Sequence, residues 1–196
     1  MRGMRSGLAM AVVAAVAMMA FGAGSASATV KLCKVSAMTC PAGSIYPSGS
    51  QFKAVGNAEF ASKKCELEMA FQTTAVSGTQ LPAEITAFPF SNCPSGVSIT
   101  GLNLNLFWSF LIGSSGAPNG FGEIFQHGST NPVELKVVGL GSTACIYELP
   151  HFEPDINGGS WIFTSMTAHL HSGTGCPTAP VFGFEIEPVP AFYVTA

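Results

Sequence analysis

The sequence predicts an all-β fold, an antiparallel two-sheet β-sandwich stabilised by disulfides, and three observations carry that expectation. Apolar and polar residues alternate with a period of two over several short stretches, the mark of strands with one buried face. Clusters of Gly, Pro, Ser and Asn separate these stretches and interrupt every run long enough to form a helical stripe. Six cysteines stand in a chain that opens with an export signal, the usual setting of disulfides. Greek-key, jelly-roll and immunoglobulin-like topologies all satisfy this pattern.

The chain has 196 residues. Residues 1–28 read as a Sec signal peptide: Arg2 and Arg5 form a basic n-region, an apolar run extends from Leu8 to Phe21, and Ala26-Ser27-Ala28 has the A-x-A form of a cleavage site. The apolar run falls short of the roughly 20 residues that span a hydrocarbon core. Cleavage leaves residues 29–196, expected as one domain, long enough to bury about 70% of its unfolded surface. Both arginines leave with the signal, so six lysines face eleven acidic residues. No basic stripe remains to neutralise phosphates, which argues against nucleic acid and against anionic membranes as partners. The expected localisation is secreted, extracellular or in the cell envelope, and the expected partner is an extracellular protein or a glycan.

Strand-like alternation begins at Cys65-Glu66-Leu67-Glu68-Met69-Ala70-Phe71, where the apolar set occupies one face and the two glutamates the other. It recurs in Leu102–Leu106 and Val133–Val137. Leu106–Ile112 is apolar on both faces, which places Trp108 between sheets. From Trp161 to His171, Ile162, Met166, Ala168 and Leu170 form the core side, and Trp161, Phe163, His169 and His171 the other. Phe182, Phe184 and Ile186 then oppose Glu185 and Glu187, and a last strand runs through Phe192-Tyr193-Val194.

The cysteines are Cys33, Cys40, Cys65, Cys93, Cys145 and Cys176, and no C-x-x-C occurs among them. Their even number in an exported chain reads as three disulfides. Among the 15 possible connectivities, pairing of sequence neighbours is preferred: Cys33 with Cys40, Cys65 with Cys93, and Cys145 with Cys176.

The signal segment, the Cys33-x6-Cys40 pair, Phe90-Ser91-Asn92-Cys93, Cys145-Ile146-Tyr147 and the terminal Phe192-Tyr193-Val194-Thr195 together resemble a group of small secreted proteins of actinobacteria with six cysteines. The resemblance implies export and an all-β fold and brings no activity with it.

Motifs for chemistry are sparse. His169 and His171 flank Leu170 in a strand, so their rings project from one side, as two ligands of zinc or copper would, with His151 as the candidate third ligand and Glu153 or Asp155 as further donors. His127, in a Gly-rich loop, is a weaker candidate. Glu185 and Glu187 share a strand side about 7 Å apart, as do Glu66 and Glu68, and an exposed strand accounts for both pairs. Gly113-Ser114-Ser115-Gly116 lacks the closing glycine of a nucleophile elbow, since Ala117 follows. No catalytic residue and no cofactor is therefore assigned. Trp161 and Phe163 form the candidate ligand face, opposite the core side of their strand. The expected function is non-enzymatic binding or structural presence outside the cell, with two alternatives: a secreted hydrolase of an extracellular polymer, and a metal-binding protein using the H-x-H strand.

Overall fold

Alternation of inward apolar and outward polar residues organises the strands of this computed structural model, which describes residues 29–102, 108–126, 131–150 and 152–196. In chain order they are β1 (Lys31–Cys33), β2 (Gln51–Phe60), β3 (Lys63–Thr73), β4 (Leu81–Ala87), β5 (Phe90–Ser91), β6 (Ser98–Gly101), β7 (Trp108–Gly116), β8 (Asn119–Gln126), β9 (Val133–Val138) and β10 (Cys145–Leu149). The series ends with β11 (Asp155–Asn157), β12 (Trp161–Thr167), β13 (His169–Ser172), β14 (Val181–Val189) and β15 (Tyr193–Thr195). The described residues contain no helix, and so none long and apolar enough to cross a membrane.

The all-β expectation holds, and the two-sheet sandwich is corrected. Antiparallel ladders run β2-β14-β12-β11-β8-β7-β4-β3, and β2 pairs with β3, so eight strands close into a barrel-like ring with β5 added beside β3. The closing hairpin turns through Ala61 and Ser62, both at positive φ (49° and 64°), the backbone of a two-residue turn that matches strand twist. Its ladder extends from Phe60↔Lys63 to Gln51↔Gln72. Alternation records which side of a strand is buried but not whether the first and last strands of a sheet meet, which is why the ring is absent from the sequence reading.

Side chains fill the ring, as eight strands require. Phe52, Phe60, Leu67, Met69, Phe71, Trp108, Phe110, Ile162, Phe182 and Ile186 are buried, and the Trp108 indole donates to the Leu102 carbonyl at 3.2 Å. Phe110 occupies room that β8 yields by placing glycine inward: a Cβ on Gly122 would lie 2.2 Å from its ring. Outward positions carry Lys53, Asn57, Glu66, Glu123, Asp155, Glu185 and Glu187. An apolar interior under a polar exterior is the reverse of a membrane-spanning barrel.

A four-stranded sheet, β13-β10-β9-β6, packs against one end of the ring. There Tyr147 meets Phe60, with ring centroids 4.8 Å apart, and Ile99, Leu135, Val137 and Leu149 join the same core cluster. The Tyr147 hydroxyl donates to the Pro177 carbonyl at 3.1 Å, and burial pushes its phenol pKa up. A β1–β15 ribbon serves the other end of β2, with Phe192 5.1 Å from Phe52 and 5.8 Å from Phe71.

The stretch Trp161–His171, expected as one strand, divides at the buried Ala168, whose N–H donates to the Pro180 carbonyl at 2.9 Å. Its first part, β12, belongs to the ring and its second, β13, to the four-stranded sheet. Residues 103–107 of the expected Leu102–Leu106 strand lie outside the described residues. Disulfides join Cys33 to Cys40, Cys65 to Cys93 and Cys145 to Cys176, and no free cysteine remains.

Candidate functional site

The registers of six neighbouring strands align one row of outward residues across the ring. Phe121 on β8 stands opposite Asp155, Asp155 opposite Phe163, Phe163 opposite Glu185, Glu185 opposite Asn57, and Asn57 opposite Glu66. At about 4.8 Å per strand the row is roughly 24 Å long. Beside it Trp161 stands opposite Asn157 across the β11–β12 hairpin.

Three aromatic rings on this side are open to solvent: Trp161 is 38%, Phe163 42% and Phe121 39% exposed. Strand alternation holds the first two outward while Ile162 between them enters the core. Phe121 is held differently. Its ring lies over Gly113, its partner on β7, where a Cβ would come within 2.2 Å of it. The bare glycine backbone gives the ring a flat bed, the cross-strand arrangement by which an aromatic shields a glycine.

A groove of about 630 Å³ surrounds Trp161 and Phe163, lined also by Glu153, Asp155, Asn157, Thr164, Ser165 and Glu185. A second hollow of about 310 Å³ shares Asp155, Asn157 and Phe163 and adds Ser115 and Asn119. The two make one elongated depression. Among the described residues the carboxylates of Glu153, Asp155 and Glu185 have no hydrogen bond or ion pair, whereas Glu66 accepts from Asn92 Nδ2 at 2.6 Å and Glu68 pairs with Lys53 at 2.7 Å. Three partnerless acceptors thus stand around the rings, while Glu59, Glu84, Glu123 and Glu187 are as free on other parts of the described surface. Asp155 and Glu185 flank Phe163 from either side, about two strand spacings apart. Phe163 stands between them in the register on the same side of the sheet, an arrangement that suits stacking and hydrogen bonding.

The four-stranded sheet holds a second polar group. His169 and His171 both lie exposed on β13, yet the structure gathers only His171 with other donors. Its Nδ1 is 2.8 Å from Glu148 Oε1 and 3.9 Å from Glu134 Oε1. Glu134 and Glu148 face each other directly on β9 and β10, and one donor atom from each of the three residues lies within 4.8 Å of the others. His169 does not belong to this cluster. His151 and His127 fall outside the described residues, and Glu153, expected as a donor beside the histidines, lines the aromatic groove instead. Both histidines stay on β13, and a register shift between Ile146 and Tyr147 along the β10–β13 ladder accompanies the approach of His171 alone to the glutamates.

Reading of the sequence missed Phe121, Glu134 and Glu148 as site residues. For Phe121 a signal exists in Gly120-Phe121-Gly122-Glu123, an alternation with the large residue outward and glycine inward. For the two glutamates, each an ordinary outward position of its own strand, only the β9–β10 register brings them together. The chain matches no protein-family model, no curated protein and no solved structure.

Proposed function

We propose that this is an exported, non-enzymatic protein that binds a neutral polysaccharide through the outer side of the ring bearing Trp161, Phe163 and Phe121. Residues 1–28 have the n-region, apolar run and A-x-A site of a Sec signal, and three disulfides with no free cysteine fit an oxidising compartment. The same reading places the chain with the small six-cysteine actinobacterial proteins that its sequence resembles.

The observation that carries the reading is the grouping of three exposed rings with unpaired acceptors in one elongated depression. An apolar ring held at the surface costs free energy in water that a ligand relieves by covering it. The apolar face of a sugar ring can do so while its hydroxyls donate to Asp155, Glu153 and Glu185. The absence of arginine after residue 28 and the acidic lining select against polyanionic glycans, because like charges repel across a shared surface.

Affinity electrophoresis in gels containing soluble β-glucan, α-glucan, galactomannan or glycol chitin tests this. The protein is expected to be retarded by at least one of them, and Trp161→Ala to weaken that retardation roughly tenfold, the cost of removing an anchor worth about 1.4 kcal/mol. Equal migration in every gel, or equal retardation of the variant, rejects the proposal.

A further inference from the structure

We infer that Glu134, Glu148 and His171 form a binding site for a divalent transition metal, with zinc as the best match, on the open side of the four-stranded sheet. The site lies on a different sheet from the aromatic groove and does not depend on its function.

The β9–β10 register sets Glu134 directly opposite Glu148. Two carboxylates in that relation repel each other, and among the described residues neither has any ion-pair partner except His171. Lys136 lies two positions along β9, opposite Ile146, and pairs with neither. A shift in register between Ile146 and Tyr147 along the β10–β13 ladder accompanies the approach of His171 to the pair. Three donor atoms of ligand type thus converge in a position where positive charge relieves a built-in repulsion.

The spacing suits a small cation. A tetrahedral centre with bonds of about 2.0 to 2.1 Å keeps its donors about 3.3 Å apart. The His171 distances of 2.8 and 3.9 Å bracket that value, and the donor atoms of the two glutamates lie within 4.8 Å of each other, so rotations of the exposed histidine and the half-buried glutamates bring all three onto one ion. One imidazole nitrogen with two carboxylate oxygens selects zinc and its transition-metal neighbours over magnesium and calcium, which prefer oxygen alone. His171 and Glu148 reach solvent, with side chains 51% and 37% exposed, and leave a fourth position for water, the arrangement of three-ligand zinc sites.

Titration calorimetry of the purified, tag-free, chelator-treated protein with zinc chloride in a non-coordinating buffer tests the inference. One zinc per chain is expected, with a dissociation constant in the micromolar range. His171→Ala, Glu134→Gln and Glu148→Gln should each weaken binding roughly tenfold or more, and His169→Ala should change it less than about threefold. Circular dichroism and melting of each variant identify any that fail to fold, and the glutamine changes keep side-chain volume. No heat above that of dilution, undiminished affinity in His171→Ala, or a larger loss in His169→Ala than in His171→Ala overturns the assignment. Binding of calcium as strong as that of zinc also overturns it, because acidic charge alone then explains the uptake.

Discussion

The outer side of the ring around β12 and the open side of the four-stranded sheet around β13 are built from one stretch of chain, and they differ in kind. On the ring, exposed aromatic rings lie among carboxylates without partners, spread over the three strand spacings, about 14 Å, from Phe121 to Glu185. On the small sheet, three ligand-type side chains converge within 4.8 Å. An extended ligand with apolar faces and many hydroxyls suits the first arrangement, and a point charge the second. Outward position on a strand is therefore not one condition: register with neighbouring strands decides whether polar groups are distributed or gathered.

The largest expected effect breaks both regions together. Phe60 lies in the ring and against Tyr147 of the small sheet, so Phe60→Ala should destabilise the protein by about 3 to 5 kcal/mol and weaken sugar and metal binding alike, read by urea denaturation and by both titrations. A more selective break is the double replacement Cys145→Ala, Cys176→Ala, which opens the bridge between the start of β10 and the segment after β13. It should cost about 3.7 kcal/mol on the chain-entropy account, and zinc affinity should fall further than polysaccharide affinity, because β10 and β13 carry Glu148 and His171 while the aromatic row lies on the ring.

Smaller effects sharpen the contrast. Phe163→Ala should lower polysaccharide affinity roughly tenfold, change stability by less than about 0.5 kcal/mol and leave zinc affinity as it was. Glu185→Gln removes a charge but keeps an acceptor, and should reduce polysaccharide affinity only about two- to threefold, on the scale of a single hydrogen bond. Titration of both variants with both ligands separates the two regions. Any exchange of effects between them contradicts their independence.

Strand content was legible in the sequence wherever one face is buried. Cys65–Phe71, Val133–Val137 and Phe182–Glu187 all fall inside strands whose alternation the structure repeats. β2 and β8 were harder to see, because Gly56, Gly120 and Gly122 put the smallest residue where a core side chain would announce the inward face. Closure of the ring and the division of the Trp161–His171 stretch at Ala168 depend on pairings between distant segments, which no local pattern encodes. The candidate sites follow the same rule. Trp161 and Phe163 could be singled out because a large aromatic opposite a core face is conspicuous within a single strand. The Glu134–Glu148–His171 group could not, since each member is unremarkable until three strands are in register.

The two tryptophans allow the central claim to be tested directly. Trp108 is buried inside the ring and Trp161 stands 38% exposed in the groove, so a sugar covering the groove alters the emission of only one. Titration of the protein with the polysaccharide that retards it should shift the fluorescence to shorter wavelength with saturation. In Trp161→Phe, where Trp108 alone emits, that shift should vanish while a weakened retardation persists. A spectrum unmoved at saturating polysaccharide, or the same shift in Trp161→Phe, would contradict binding at this face.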